Sequence, residues 1–291
     1  MATLRELKGR IGSVASSEKI TGAMKMISSA KMHKAEQQLK RLQPYRKMVE
    51  GIMGTLLDSD AEFTSPLTDV RDVVTRAIVV LGSDDGLCGA YNVNIYKTLI
   101  GHITESLNRG EKVVLLPVGS KMQKIVGKLQ MNGVSVEKLP AGVDSKSEVG
   151  KIKEFLSSLT AGFTAGKYDA VNIMSMHFLS ISRQRPRFEQ LLPLDAATMN
   201  EEGVREHFKP CLFEPSAEEI FVQVIPMFLL AVVTESFVEN RASEQAARVM
   251  AMQSANDNAK KLLEELHLEY NKLRQQSITT ELLDIVGGQV R

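Results

Sequence analysis

A single heptad stripe limits what the C-terminal fifty or so residues can fold into. From Met252, apolar or small residues recur at Ala255, Ala259, Leu263, Leu266, Tyr270 and Leu273. This alternating three- and four-residue spacing is the seam a coiled coil needs. Between Glu239 and Gln275 six acidic side chains balance six basic ones, as on a solvated helix exterior, and no proline interrupts the run. At about 1.5 Å per residue, fifty helical residues reach ~75 Å, longer than a small domain is wide. Such a helix needs a partner.

The partner is found at the other end of the chain. Residues 4 to about 57 read as one helix, with Leu4, Leu7, Ile11 and Val14 on a three-four stripe that resumes at Ile20, Met24 and Ile27 after a slip of about one residue. The slip predicts a local change of supercoil, with a partly unwound pair, near Ser16 and Ser17. Pro44, Gly51 and Gly54 weaken the helix toward a loop near Asp58. Each segment has an apolar stripe to cover, and they most simply cover each other as an antiparallel pair. Residues 1 to 48 carry eleven basic side chains against three acidic ones, a basic rod that by itself reads as a solvated face or a nucleic-acid arm.

Between the helices the period changes. Arg76–Leu81, Glu111–Val118 and Ala170–Phe178 read as strands, and 92–108, 121–131 and 149–160 as helices. Phe188–Leu194 and residues 212–213 are possible edge pieces. This alternation predicts an α/β layer with a largely parallel sheet, a Rossmann-like domain. The expected division is 1–57, an N-terminal coiled-coil helix; 70–213, the α/β domain; and 217–291, a C-terminal coiled-coil helix.

Composition and motifs narrow the function. With 291 residues, 43% of them hydrophobic, and a net charge of +1, the chain can bury a full core and makes no overall case for nucleic acid. Cys88 and Cys211 are too few for a disulfide framework and suit a reducing compartment. The start has neither a signal-peptide apolar core nor a transit segment. The most apolar run, Phe221 to Val233, is short of the ~20 residues that span a bilayer and contains Pro226, so no direct membrane insertion is expected. The turn Gly82–Gly89 after the first strand resembles a phosphate-binding βα unit, which keeps open a nucleotide-binding enzyme with a coiled-coil arm. Against it, there is no G-x-G-x-x-G, none of the Gly-Lys pairs at Gly127, Gly150 and Gly166 precedes Ser or Thr, and Asp84 and Asp85 put negative charge where a phosphate would sit. The five histidines (His33, His102, His177, His207, His267) are scattered, and no H-E-x-x-H or G-x-S-x-G occurs. No catalytic residue, metal ligand or cofactor is assigned.

Two signatures carry a family resemblance. The C-terminal ENRASEQAARVMAMQSANDNA and LEYNKLRQQSITTELLDIVGG, with KITGAMKM at Lys19 to Met26, resemble the terminal helices of the gamma subunits of bacterial F-type ATP synthases. SDDGLCGAYN resembles the same family's SD-[RK]-GLCG loop, with Asp85 in place of the usual base. The resemblance implies a non-catalytic central rotor stalk that couples ion-driven c-ring rotation to ATP synthesis in the beta subunits of a proton-translocating enzyme. Its implied partners are alpha, beta and epsilon subunits and the membrane c-ring, and its place is the cytoplasmic face of the bacterial inner membrane.

Residue by residue, the resemblance puts beta-subunit contacts at Met24 and Lys25 in KITGAMKM, Cys88 in the loop, Arg248 after the paired alanines of SEQAAR, and Gln275, Thr279 and Glu281 around ITTEL. At helical spacing Met24 reads equally as a core residue, and Arg248 and Glu281 as solvated charges. Ile278, Leu282, Ile285 and Val286 continue the apolar face past the end of the N-terminal helix and are expected to meet an apolar bearing in the ring. The helix is expected to fray near Val286.

Overall fold

The computed structural model describes residues 3–57, 65–139, 142–194 and 213–288, the side chains at 57, 284 and 286–288 excepted. In chain order the described elements are α1 (Leu4–Leu57), β1 (Thr75–Leu81), α2 (Tyr91–Asn108), β2 (Lys112–Val118), α3 (Ser120–Val126), β3 (Val134–Val136), α4 (Val149–Thr164), β4 (Ala170–Ser180), β5 (Arg183–Leu192) and α5 (Ala217–Gly288). They form two compact units, Met1–Ser29 with Arg248–Arg291, and Ala30–Ala247.

The larger unit is built on a sheet of order β3-β2-β1-β4-β5, with β1 to β4 parallel and β5 antiparallel to β4. Strands buried on both faces read as continuous apolar runs, and alternate residues serve opposite sides. Ala77, Val79, Leu81, Val171 and Ile173 join a core with α4 (Phe155, Leu159, Phe163), α1 (Val49, Met53, Leu56) and α5 (Phe221 to Phe237). Ile78, Val80, Met174 and Met176 join a second core with α2, which buries Tyr91, Ile95, Leu99 and Ile103 at four-residue spacing. Helix α1 is antiparallel to α5 here: Arg46 bonds Glu235, while the later Met53 and Leu56 share the core with the earlier Phe221 and Ile225.

In the smaller unit the predicted C-terminal stripe is the covered face. Met252 and Leu266 are buried, and Ala255, Ala259, Leu263, Tyr270 and Leu273 are half-buried. Asn256 Nδ2 donates to Glu18 O at 2.7 Å, and a side chain on Gly22 would crowd that amide at 3.3 Å.

Several expectations are corrected. Helix α1 runs unbroken through Ser16 and Ser17, whose hydroxyls donate to the carbonyls four residues back at 2.9 and 3.1 Å. Its covered positions keep heptad spacing from Leu4 through Glu18, Thr21, Lys25, Ser28 and Met32 to Leu56. Ile20 and Ile27 are instead 59% and 55% exposed. No slip occurs, because polar and small residues fill the seam where the apolar pattern leaves it. Pro44 and Pro226 sit inside helices. Helix α5 also contains an 18-residue window apolar enough to cross a membrane, and 67% of that window is buried within the protein. Helix α3 stops at Val126, where a Cβ on the capping Gly127 would lie 2.9 Å from Gln123 O. β3 is a strand absent from the sequence reading. β5 begins at Arg183 rather than Phe188, because a charged, proline-bearing segment can serve as an edge strand. Helix α5 continues through Gly287 and Gly288. Cys211, His207, residue 212 and Gln289 to Arg291 lie outside the described residues.

Candidate functional site

The candidate surfaces fall in two places, one in each unit. In the larger unit, the β1–α2 loop packs around its own polar groups. Asp84 accepts hydrogen bonds from the Ser120 amide (2.8 Å), the Ser145 amide (3.0 Å) and the Ser145 hydroxyl (2.6 Å). Its carboxylate thus ties this loop to the start of α3 and to the loop before α4. Asn92 closes the loop from α2, accepting from the Ser83 amide at 3.1 Å and donating to the Ser83 hydroxyl at 2.7 Å. Gly82 must be glycine, since a Cβ there would overlap Met122.

The loop buries Cys88 to 4% exposure, its Sγ 3.7 Å from Asn92 Nδ2 and 3.8 Å from Ser83 Oγ. Its neighbour Leu87 is 60% exposed and has a left-handed backbone, φ 62°, which a branched side chain rarely adopts. Asp85 pairs with Lys146 Nζ at 2.9 Å. That hydrogen bond, against a smaller effect of burial, holds the Lys146 ammonium above its ordinary pKa. The base absent from position 85 is therefore met in space by one from the loop before α4. Leu87 and Lys146 were not singled out in the sequence. A left-handed, non-glycine residue has no sequence signal, and the lysine lies 61 positions away.

In the smaller unit, Met24 and Lys25 are half-buried, Lys25 in the seam, and Arg248 is 5% exposed. Gln275, Thr279 and Glu281 are exposed on α5. Ile278, Leu282 and Ile285 are 48%, 57% and 63% exposed, and the Val286 side chain lies outside the described set. Ile20 and Ile27, which the stripe places in the interior, are exposed on α1 together with Met26. The predicted contacts therefore do not form one cluster. Four belong to α5 in the smaller unit, two to α1, and Cys88 to the loop. Among the described residues, no group of three His, Cys, Asp or Glu could hold a metal ion.

Comparison with known proteins decides among folds of this kind. The chain matches the ATP synthase family over residues 3–290. It is 36% identical to the ATP synthase gamma chain of Bacteroides thetaiotaomicron across 100% of both chains, and 36% identical to that of Stenotrophomonas maltophilia across 99% of both. This chain belongs to the ATP synthase gamma-chain family. The fold is also that of a chain in the Euglena gracilis mitochondrial ATP synthase OSCP/F1/c-ring structure, with TM-score 0.65 and 19% identity, covering 99% of this chain and 93% of that one. A chain of the Tetrahymena thermophila mitochondrial ATP synthase central stalk and c-ring gives TM-score 0.57 and 21% identity, covering 81% and 99%.

Proposed function

We infer that this chain is the central rotor stalk of a proton-translocating F-type ATP synthase and itself catalyses nothing. The observation that carries this reading is the full-length relationship to gamma chains, joined to a 72-residue helix whose end leaves Ile278, Leu282, Leu283 and Ile285 exposed. Rotation of a rod can change a nucleotide site in a surrounding ring only if the rod makes different contacts with the site's different states. The α1–α5 pair meets that requirement. It has an exposed apolar strip at Ile20, Met26 and Ile27 and charged or polar groups at Gln275, Thr279 and Glu281.

In this reading Met24, Lys25, Gln275, Thr279 and Glu281 serve beta-subunit contacts, while Arg248, 5% exposed, is held within the chain. Ile278, Leu282, Ile285 and Val286 run in an apolar bearing formed by the ring. The β1–α2 loop also faces a beta subunit, with Leu87 presented and Cys88 supporting it from behind. The epsilon subunit and the c-ring engage the α/β layer and the adjoining helices, on the cytoplasmic face of the bacterial inner membrane. The coil segments 1–57 and 217–291 and the α/β segment 70–213 act as shaft and foot.

Met24→Lys in the assembled complex tests the beta contact. Proton pumping per ATP hydrolysed is expected to fall severalfold with the chain still folded and assembled. Loss of assembly with normal coupling in the surviving complexes would make Met24 structural. Nucleotide binding by the isolated chain would favour the enzyme reading; the missing G-x-G-x-x-G and the negative charges of Asp84 and Asp85 in the turn argue against it.

A further inference from the structure

We propose that residues Glu239 to Ser243 of α5 are a polar key that fixes the rotational angle of this helix in the α/β layer, so that torque passes between layer and helix without slip. The proposal rests on the rotor-stalk reading. From Ala231 to Asn240 every residue of α5 is buried. A helix buried all round has no amphipathic stripe to set which side faces the sheet. Apolar contact is non-directional, so a rotated helix would recover much of it. Hydrogen bonds to fixed groups would not be recovered.

Four of these five residues bond to four different parts of the layer. Glu239 holds His177 of β4 at 2.9 Å. Asn240 Nδ2 donates to Gly82 O at 3.2 Å, and Asn240 Oδ1 accepts from the Tyr91 hydroxyl of α2 at 2.6 Å. Arg241 reaches Ser147 O at 3.4 Å, and the Ser243 hydroxyl donates to Met176 O at 3.1 Å. Glu239, Asn240 and Ser243 are 5%, 2% and 0% exposed. A turn of one residue, about 100°, would break all five bonds at once and leave buried polar groups unpaired. The bonds therefore act together as an angular lock, with Asn240 as its central positioning residue.

The test uses the assembled ATP synthase carrying Asn240→Leu, with a bead on the exposed surface of α2 and the catalytic ring stalled. The thermal angular spread of the bead is expected to widen at least twofold, and proton pumping per ATP to fall severalfold while hydrolysis stays within about twofold. The double variant Tyr91→Phe with Asn240→Leu removes both partners of the shortest bond. Its melting temperature should recover part of the single variant's loss, while the wide angular spread remains. If spread and stability recover together, or if the spread never widens, the key is ordinary packing and the proposal is wrong. Should Asn240→Leu not assemble, Ser243→Ala with Tyr91→Phe reads the same spread, and a wild-type width there overturns the proposal. Failure of the rotor reading would show separately, as a wild-type complex without ATP-driven rotation of the bead.

Discussion

The seam of α1 differs sharply between the two compact units. In the larger unit its heptad positions are Met32, Ala35, Leu39, Leu42, Arg46, Val49, Met53 and Leu56; in the smaller they are Leu4, Leu7, Ile11, Val14, Glu18, Thr21, Lys25 and Ser28. The first set is mostly apolar and ends in the sheet's core. Its one charge, Arg46, is held by Glu235 and Glu50. Burial works against that guanidinium, yet the two carboxylates keep its pKa above the usual arginine value. The second set turns half polar, with one amide, Asn256, bonded to the Glu18 carbonyl. Much of the apolar surface beside it, at Ile20, Met26 and Ile27, stays outside. One seam is closed mainly by apolar packing, the other in good part by polar and small residues.

Mutation should separate the two. Phe237→Ala, in the larger core at 1% exposure, should lower the unfolding free energy of the isolated chain by about 3–5 kcal/mol. A loss below about 1 kcal/mol would mean that this core is loosely packed. The next largest effect is acid sensitivity, again in the larger unit. Glu111 is buried, which by itself raises its pKa, but Arg76 (2.6 Å) and Arg109 (2.7 Å) outweigh that and hold it at about 2. Because the folded value lies below the unfolded one, this stabilisation is full above about pH 4.5 and is lost as pH falls toward 2, a change of about 3 kcal/mol. Denaturant melts across that range should flatten in Glu111→Gln. An unchanged acid limb would assign the loss to other carboxylates.

The smaller unit should respond in the opposite way. Ile278→Asp with Leu282→Asp should shift the isolated chain's stability by no more than about 0.5 kcal/mol per site, since both residues are exposed. In the assembled complex the same change should weaken assembly or coupling severalfold, because carboxylates would face an apolar wall. Equal tolerance in both settings would abolish the contrast between the units. The smallest effect is expected at Asp85→Ala, which breaks the exposed pair with Lys146 and should cost less than about 1 kcal/mol. A larger loss there would show that the loop depends on the pair.

The sequence by itself determined that a long helix stands at each end, the alternation of strands and helices between them, and the stripe from Met252 to Leu273, because each is written in a local period of 3.6 or 2 residues. The candidate contacts on α1 and α5 came from the family resemblance of short motifs, which a local period does not supply. Tertiary structure decided the rest. It kept Glu18, Thr21, Lys25 and Ser28 in the seam where the apolar pattern pointed to Ile20 and Ile27, because the opposing helix and not the local pattern defines which face is covered. It made Arg183–Arg187 an edge strand through pairing with His177 and its neighbours on β4. It met Asp85 with Lys146, and it turned Glu239–Ser243, which in sequence reads as a solvated stretch, into the most polar part of a buried helix. Apart from the β4–β5 hairpin, each of these depends on a partner far along the chain, as with Arg46 and Glu235 at a separation of 189 residues, and local periodicity carries no information about such partners.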